Sequence, residues 1–232
     1  MNRTIYIAGD STAAPKSGDQ KPMAGWGEYI PLFFSPQLNF SNWAINGRST
    51  KSFIDQGRLS AMLDQFHPGD YLIIQFGHND GKIDDPERYT NPHTDFKRNL
   101  SLFTVSARSR GVLPVLLTPV SRRRFLVDGS PDPLAVGEYP AAVKEAAAET
   151  GTPLLDLFSL TQKLYGSLGI RDSAKLFLHL PAGRHPNYPD GVEDDTHFNE
   201  RGARLVAEQV AEAVGNCAAL TSLHPWLRLT RT

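Results

Sequence analysis

The chain has 232 residues, 40% of them hydrophobic and 21% charged, and its formal net charge is −1. That is the composition of an ordinary globular chain with enough residues for one buried core, not of a disordered or membrane-embedded one. The near-balanced charge excludes a strongly basic nucleic-acid footprint, and no apolar run approaches the ~20 residues of a membrane span, so neither nucleic acid nor membrane is an expected partner.

Residues 5–8 (IYIA) read as a first buried strand ended by Gly9-Asp10. The run is shorter than the ~7–15 apolar residues of a signal h-region, so the expected location is cytoplasmic. Residues 25–34 suit a short helix. Residues 38–44 alternate in part as a strand and then meet the turn signal Asn46-Gly47. Residues 70–76 (DYLIIQF) form a strand between Gly69 and Gly77. A helix over 94–109 stops at Gly111, and a strand over 112–117 is closed by Pro119. An alanine-rich helix over 137–150 ends at Gly151, and a short strand follows at 153–157. In the last helix, capped by Asn199, Ala203, Val206, Val210 and Val214 recur at helical spacing up to Gly215.

Strands alternating with helices imply an α/β fold whose parallel sheet is covered on both faces. Residues 1–215 are expected to form one domain, with 216–232 as a tail docked through Trp226 and Leu227. The polar stretches 80–93, 122–136 and 179–197 are expected to be irregular and long enough to wall a site. The single cysteine, Cys217, excludes an internal disulfide and reads as a small buried hydrophobe.

Ligands of open parallel α/β sheets bind beyond the carboxyl ends of the strands, so the residues after each strand matter most. These are Gly9-Asp10-Ser11-Thr12, then Asn42 through Ser49 with Gly47, then Gly77-His78-Asn79-Asp80, then Thr118-Pro119-Val120-Ser121. Asp194 through Asn199 precede the last helix as a loop. The set suits acyl transfer. A serine hydroxyl is a weak nucleophile and needs a base, and histidine, with an unperturbed pKa of about 6.5, serves near neutrality. A carboxylate fixes the imidazole tautomer, and a main-chain N–H at glycine with an asparagine amide can hold the oxyanion. Asp194 and His197 are three residues apart, which aims both at one point; Asp195 rivals Asp194.

These five segments resemble the SGNH subgroup of the GDSL-type esterases and lipases, with Thr12 standing where the first block has leucine. The resemblance spans residues 5 to about 214. It implies a flavodoxin-like three-layer α/β/α sandwich with a mostly five-stranded parallel sheet. It also implies Ser11 as nucleophile, His197 as base and then acid, and Asp194 as its orienting group. The N–H groups of Ser11 and Gly47 with the Asn79 amide would form the oxyanion hole. More narrowly, Ser11-Thr12-Ala13, Gly25-Trp26-Gly27, residues 118–123 (TPVSRR) and 194–199 are similar to rhamnogalacturonan acetylesterases. That likeness implies deacetylation of pectin-backbone oligosaccharides. A lipase, thioesterase or other acyl-chain esterase on the same scaffold is the alternative.

Arg122 and Arg123 are candidates to meet a uronate carboxylate, because arginine binds carboxylates through paired hydrogen bonds. His78 is expected to buttress the Asn79 loop or line the site, and Asp10 to organise its own loop. Trp26 and Trp43 read as packing residues. His179, His185, Asp190, Asp194, Asp195 and His197 fit no familiar metal-ligand spacing, so no metal is expected. No cofactor is expected either: Gly25-Trp26-Gly27 lacks the third glycine of a dinucleotide fingerprint, and residues 77–82 are one short of a phosphate loop.

Overall fold

Strand β1 (Thr4–Gly9) is buried along both faces, as its run of β-branched and aromatic residues requires. The structure is a computed structural model that describes residues 3–228; Met1, Asn2 and positions 229–232 of the expected tail lie outside the described residues. After β1 come β2 (Met23–Ala24), the single helical turn α1 (Trp26–Tyr29) and β3 (Asn39–Asn42). Helices α2 (Thr50–Asp55) and α3 (Arg58–Leu63) lead into β4 (Tyr71–Gln75). Then follow α4 (Lys97–Ser109), β5 (Leu113–Leu117), α5 (Tyr139–Thr150) and β6 (Leu154–Leu155). The chain continues through α6 (Leu157–Ser173), β7 (Phe177–Leu180), β8 (Val192–Asn199) and α7 (Glu200–Asn216).

Five strands form one parallel sheet in the order β3-β1-β4-β5-β6. Side chains alternate across it, as the two-residue period of a strand demands. Ile5, Ile7 and Ile73 join one apolar cluster with Trp26 of α1, Tyr165 of α6, and Val206, Val210 and Val214 of α7. Tyr6, Ala8, Leu72 and Ile74 join the other, with Phe53 of α2, Met62 of α3, Phe103 of α4 and Ala146 of α5. The result is the expected three-layer sandwich.

The chain goes from β1 outward to β3 and then returns to the other side of β1 as β4. The order therefore reverses beside β1, and such a reversal opens a crevice at the carboxyl ends of the strands. Ser11 follows β1 directly at this crevice.

Three expectations need correction. Residues 192–199 are not a loop: they are β8, the middle strand of a small antiparallel sheet ordered β2-β8-β7. Its sequence, VEDDTHFN, has no apolar alternation because most of its positions remain partly exposed, so pairing rather than pattern defines it. Second, the chain between 157 and 173, read at most as the end of a strand, is α6. Asp156 caps it by accepting the Ser159 N–H at 3.2 Å, and Gly169, at φ +69°, kinks it near its end. Third, Cys217 is half-buried rather than buried, and it stands where α7 ends.

Beyond α7, a 3-10 segment (Ala218–Trp226) buries Leu220 and Leu223. Ser35 N–H donates to the Trp226 carbonyl at 2.7 Å, and Leu227 bridges Phe34. Trp26 is wholly buried, whereas Trp43 is half-buried against the second cluster. Among the described residues, no helix is long and apolar enough to cross a membrane.

Candidate active site

The turn after β1 is organised from within. Asp10 is buried, and its Oδ1 accepts from the Thr12 N–H (2.9 Å) and the Thr12 hydroxyl (2.7 Å). Its carbonyl accepts from the N–H groups of Ala13 and Ala14. Trp26 Nε1–H donates to Gln75 Oε1 at 2.6 Å, and Gln75 Nε2–H donates to Thr12 Oγ at 3.0 Å. The turn is thus tied to the last residue of β4 through side chains that are all buried. Buried polar groups persist only when paired, so this network fixes the Ser11 backbone.

The second loop leaves β3 at Asn42, whose amide donates to the Ala13 carbonyl at 2.8 Å. Gly47 has φ +74°, a conformation that favours glycine. Lys16 joins the two loops: its Nζ donates to the Ser11 carbonyl at 2.5 Å and to Asn46 Oδ1 at 2.6 Å. Burial pushes this ammonium down to about 8, against the opposing pull of Asp10 and Glu28.

Ser11 Oγ–H donates to His197 Nε2 at 2.8 Å, and His197 Nδ1–H donates to Asp194 Oδ2 at 2.6 Å. The other carboxylate oxygen of Asp194 accepts the N–H groups of Thr196 (2.7 Å) and His197 (3.0 Å). Burial alone would raise the Asp194 pKa. The His197 hydrogen bond and charge, with the two backbone donors, outweigh it and leave the value at about 2. The rival, Asp195, faces elsewhere and accepts from His179 Nε2 at 2.8 Å and Arg123 Nη1 at 2.7 Å.

The third loop begins at Gly77 (φ +142°), where an added Cβ would press on Pro119 and Tyr139. Asn79 Nδ2 donates one N–H to the Arg48 carbonyl at 3.1 Å, which leaves its second N–H for the cavity. No protein acceptor among the described residues takes the N–H of Ser11 or Gly47. His78 is buried, and its Nδ1 lies 3.3 Å from Asp10 Oδ2, so its ring braces the first loop against the third. A cavity of about 440 Å³ opens over these groups, bordered by Ser11, Gly47, Asn79, Asp194 and His197. Arg122 borders it too. Arg123 does not, because Asp195, the Ile170 carbonyl and Ser173 hold it elsewhere; its expected place in the site is corrected accordingly.

A model of the GDSL-like Lipase/Acylhydrolase family matches residues 7–205. The chain belongs to this family. It is 44% identical over 210 residues to the rhamnogalacturonan acetylesterase RhgT of Bacillus subtilis (strain 168), covering 90% of this chain and 88% of that one. It is 35% identical over 218 residues to the probable rhamnogalacturonan acetylesterase YesY of the same strain, covering 92% and 93%. The crystal structure of YxiM from Bacillus subtilis superposes with a TM-score of 0.79 at 26% identity, covering 93% of this chain and 57% of that one.

Within the GDSL-like acylhydrolase pattern, Thr12 in place of leucine has a structural reason: its hydroxyl is the link between Asp10 and Gln75. Lys16, Gln75 and Lys82 were not legible as site residues. Lys16 and Lys82 are lone lysines in polar stretches, and Gln75 sits inside an apolar strand; only the fold brings them to the serine loop or the cavity wall.

Asp80, next to Asn79, titrates abnormally. Its Oδ1 accepts the Thr50 N–H (3.0 Å) and the hydroxyls of Thr50 (2.6 Å) and Thr90 (2.9 Å), while buried Oδ2 has no partner among the described residues. Burial pushes its pKa from 3.8 up to about 7, with the charge of Asp10 adding to the rise and the threonine donors opposing it. A carboxyl that holds its proton more tightly when folded stabilises the fold fully below its unfolded pKa. That contribution is lost as pH rises through the folded value of about 7. Asp80→Asn does not titrate. Its urea midpoint is therefore expected to gain on the wild type as pH rises from about 5 to about 8. Midpoints that run parallel across this range would show the carboxyl to be ionised throughout.

Proposed function

We propose that the protein is a serine esterase that removes O-acetyl groups from carbohydrates, rhamnogalacturonan oligosaccharides of pectin in particular. One observation carries this reading: the unbroken hydrogen-bond chain from Ser11 through His197 to Asp194 at 2.8 and 2.6 Å, open to a cavity. Ser11 Oγ attacks the acetyl carbonyl carbon while its proton passes to His197 Nε2. The negative oxygen is held by the N–H groups of Ser11 and Gly47 and the free N–H of Asn79. The C–O bond to the sugar then breaks, and His197 returns the proton to the departing hydroxyl. Water, deprotonated by the same imidazole, attacks the acetyl-enzyme and releases acetate and free Ser11. Asp194 keeps the imidazole proton on Nδ1 and stabilises the imidazolium.

The cavity wall favours a short acyl group on a hydrated sugar. Met23 is its only apolar side chain among the described residues, so a long acyl tail meets one apolar side chain among polar and charged ones. Each methylene left in water forfeits about 0.8 kcal/mol. The names of the relatives RhgT and YesY support the same substrate class. With aryl esters, acetate is expected to turn over faster than octanoate. A preference for octanoate would favour the acyl-chain esterase instead. Acetate release from acetylated rhamnogalacturonan, xylan and chitin fragments tests the sugar; the first is expected to have the highest kcat/KM.

A further inference from the structure

The run Arg122-Arg123-Arg124 is divided by its partners. Arg123 is paired with Asp195, and Arg124 with Asp132 at 2.5 Å. Arg122 has no carboxylate partner among the described residues. One of its terminal nitrogens reaches the His78 carbonyl only at 3.5 Å, and its Nε is buried without an acceptor. The acidic groups whose fields it feels are Asp10 and Asp194. Both are committed, Asp10 to Thr12 and His78, and Asp194 to His197 and the Thr196 N–H.

Lys82, an exposed residue, stands at the rim of the same cavity, and its ammonium is paired with no carboxylate among the described residues. Asp85, the carboxylate that acts on it, is bound by Arg88. Burial, with the positive charges of Arg88 and Arg122, presses Lys82 below the usual lysine value. Two cations on one wall repel, and a buried guanidinium edge without an acceptor costs free energy. An anion brought by the ligand to the terminal nitrogens of Arg122 and to Lys82 offsets the repulsion. Among the described residues, the only carboxylate bordering the cavity, that of Asp194, is held by His197.

We propose that Arg122 and Lys82 form a carboxylate subsite beside Ser11, which takes a uronate unit neighbouring the acetylated position of the substrate. The proposal rests on the carbohydrate-esterase reading and gives that site its discrimination between acidic and neutral sugars. The guanidinium offers a planar fork to the two carboxylate oxygens, and the lysine adds a mobile point charge. Because the subsite lies off the reacting carbon, its binding energy orients the ester against Ser11.

The test compares one acetylated rhamnose–galacturonate oligosaccharide with its carboxyl-methylated form, using kcat/KM, with an aryl acetate as a third substrate. The wild type is expected to favour the free acid by about ten-fold or more, with the preference shrinking as salt is raised. Arg122→Gln and Lys82→Gln are each expected to lower kcat/KM for the free acid by several-fold to ten-fold, chiefly through KM, and to bring the ratio of the two oligosaccharides towards one. Equal wild-type rates on free and methylated forms overturn the subsite, as do variants that slow both forms by the same factor. If the wild type leaves the aryl acetate and both oligosaccharides intact, the esterase reading fails instead. Should Arg122→Gln not fold, Lys82→Gln and the wild-type ratio still decide.

Discussion

Ser11→Ala is expected to lower kcat for an aryl acetate by on the order of 10⁶-fold while the protein stays folded. In the proposed mechanism the substitution removes the atom that forms the acetyl-enzyme, so no rearrangement of neighbours can replace it. It spares everything else the turn relies on. The Ser11 carbonyl still receives Lys16, and the Asp10–Thr12–Gln75 network does not include the Ser11 side chain. The lost hydroxyl makes one hydrogen bond, to His197, at the cavity edge. A urea midpoint close to that of the wild type and a background rate of acetate release are the expected pair of results. Turnover within ten-fold of the wild type would refute Ser11 as nucleophile.

Asp194→Asn is expected to cost about 10⁴-fold in kcat, and the geometry says why. One carboxylate oxygen of Asp194 accepts two backbone N–H groups, so the amide oxygen of asparagine stays there. The amide NH₂ is then forced into the place of Oδ2, facing His197 Nδ1. That ring nitrogen must become the acceptor, the proton moves to Nε2, and the imidazole can no longer take the proton of Ser11. The same substitution carries a pH signature. Asp194 falls from 3.8 to about 2 on folding, so it stabilises the native state fully above its unfolded pKa and loses that contribution as pH falls through about 2. The stability gap between the wild type and Asp194→Asn should therefore narrow as pH falls from about 5 towards 2, read by denaturant midpoints. A gap that stays constant would place the carboxylate outside the His197 interaction.

The strands of the central sheet were legible where burial on both faces turns the sequence into a continuous apolar run, as in β1 and β4. The last helix was legible from its single valine stripe. Ser11, Gly47, Asn79, Asp194 and His197 could be named because strand ends and motif order mark them. The small sheet could not be read. β8 carries Asp194 and His197 on a half-exposed strand whose pairing with β7 and β2 leaves no apolar period. Glycines at 166 and 169 disguised α6, and one of them is a true kink. Three adjacent arginines are equivalent in sequence; the difference between a paired Arg123 and an unpaired Arg122 arises only from residues around 170 and 195 folding against them.

The bond between Ser11 and His197 spans 186 positions of the chain. During synthesis Ser11 leaves the ribosome long before His197 exists, so on the proposed mechanism a nascent chain carries an inert serine. In refolding, the sheet strands can pair early, but hydrolysis must wait until the two ends of the chain meet and this large loop closes. Recovery of turnover therefore reports closure of this long loop, and it should lag any optical signal that reports the central strands alone.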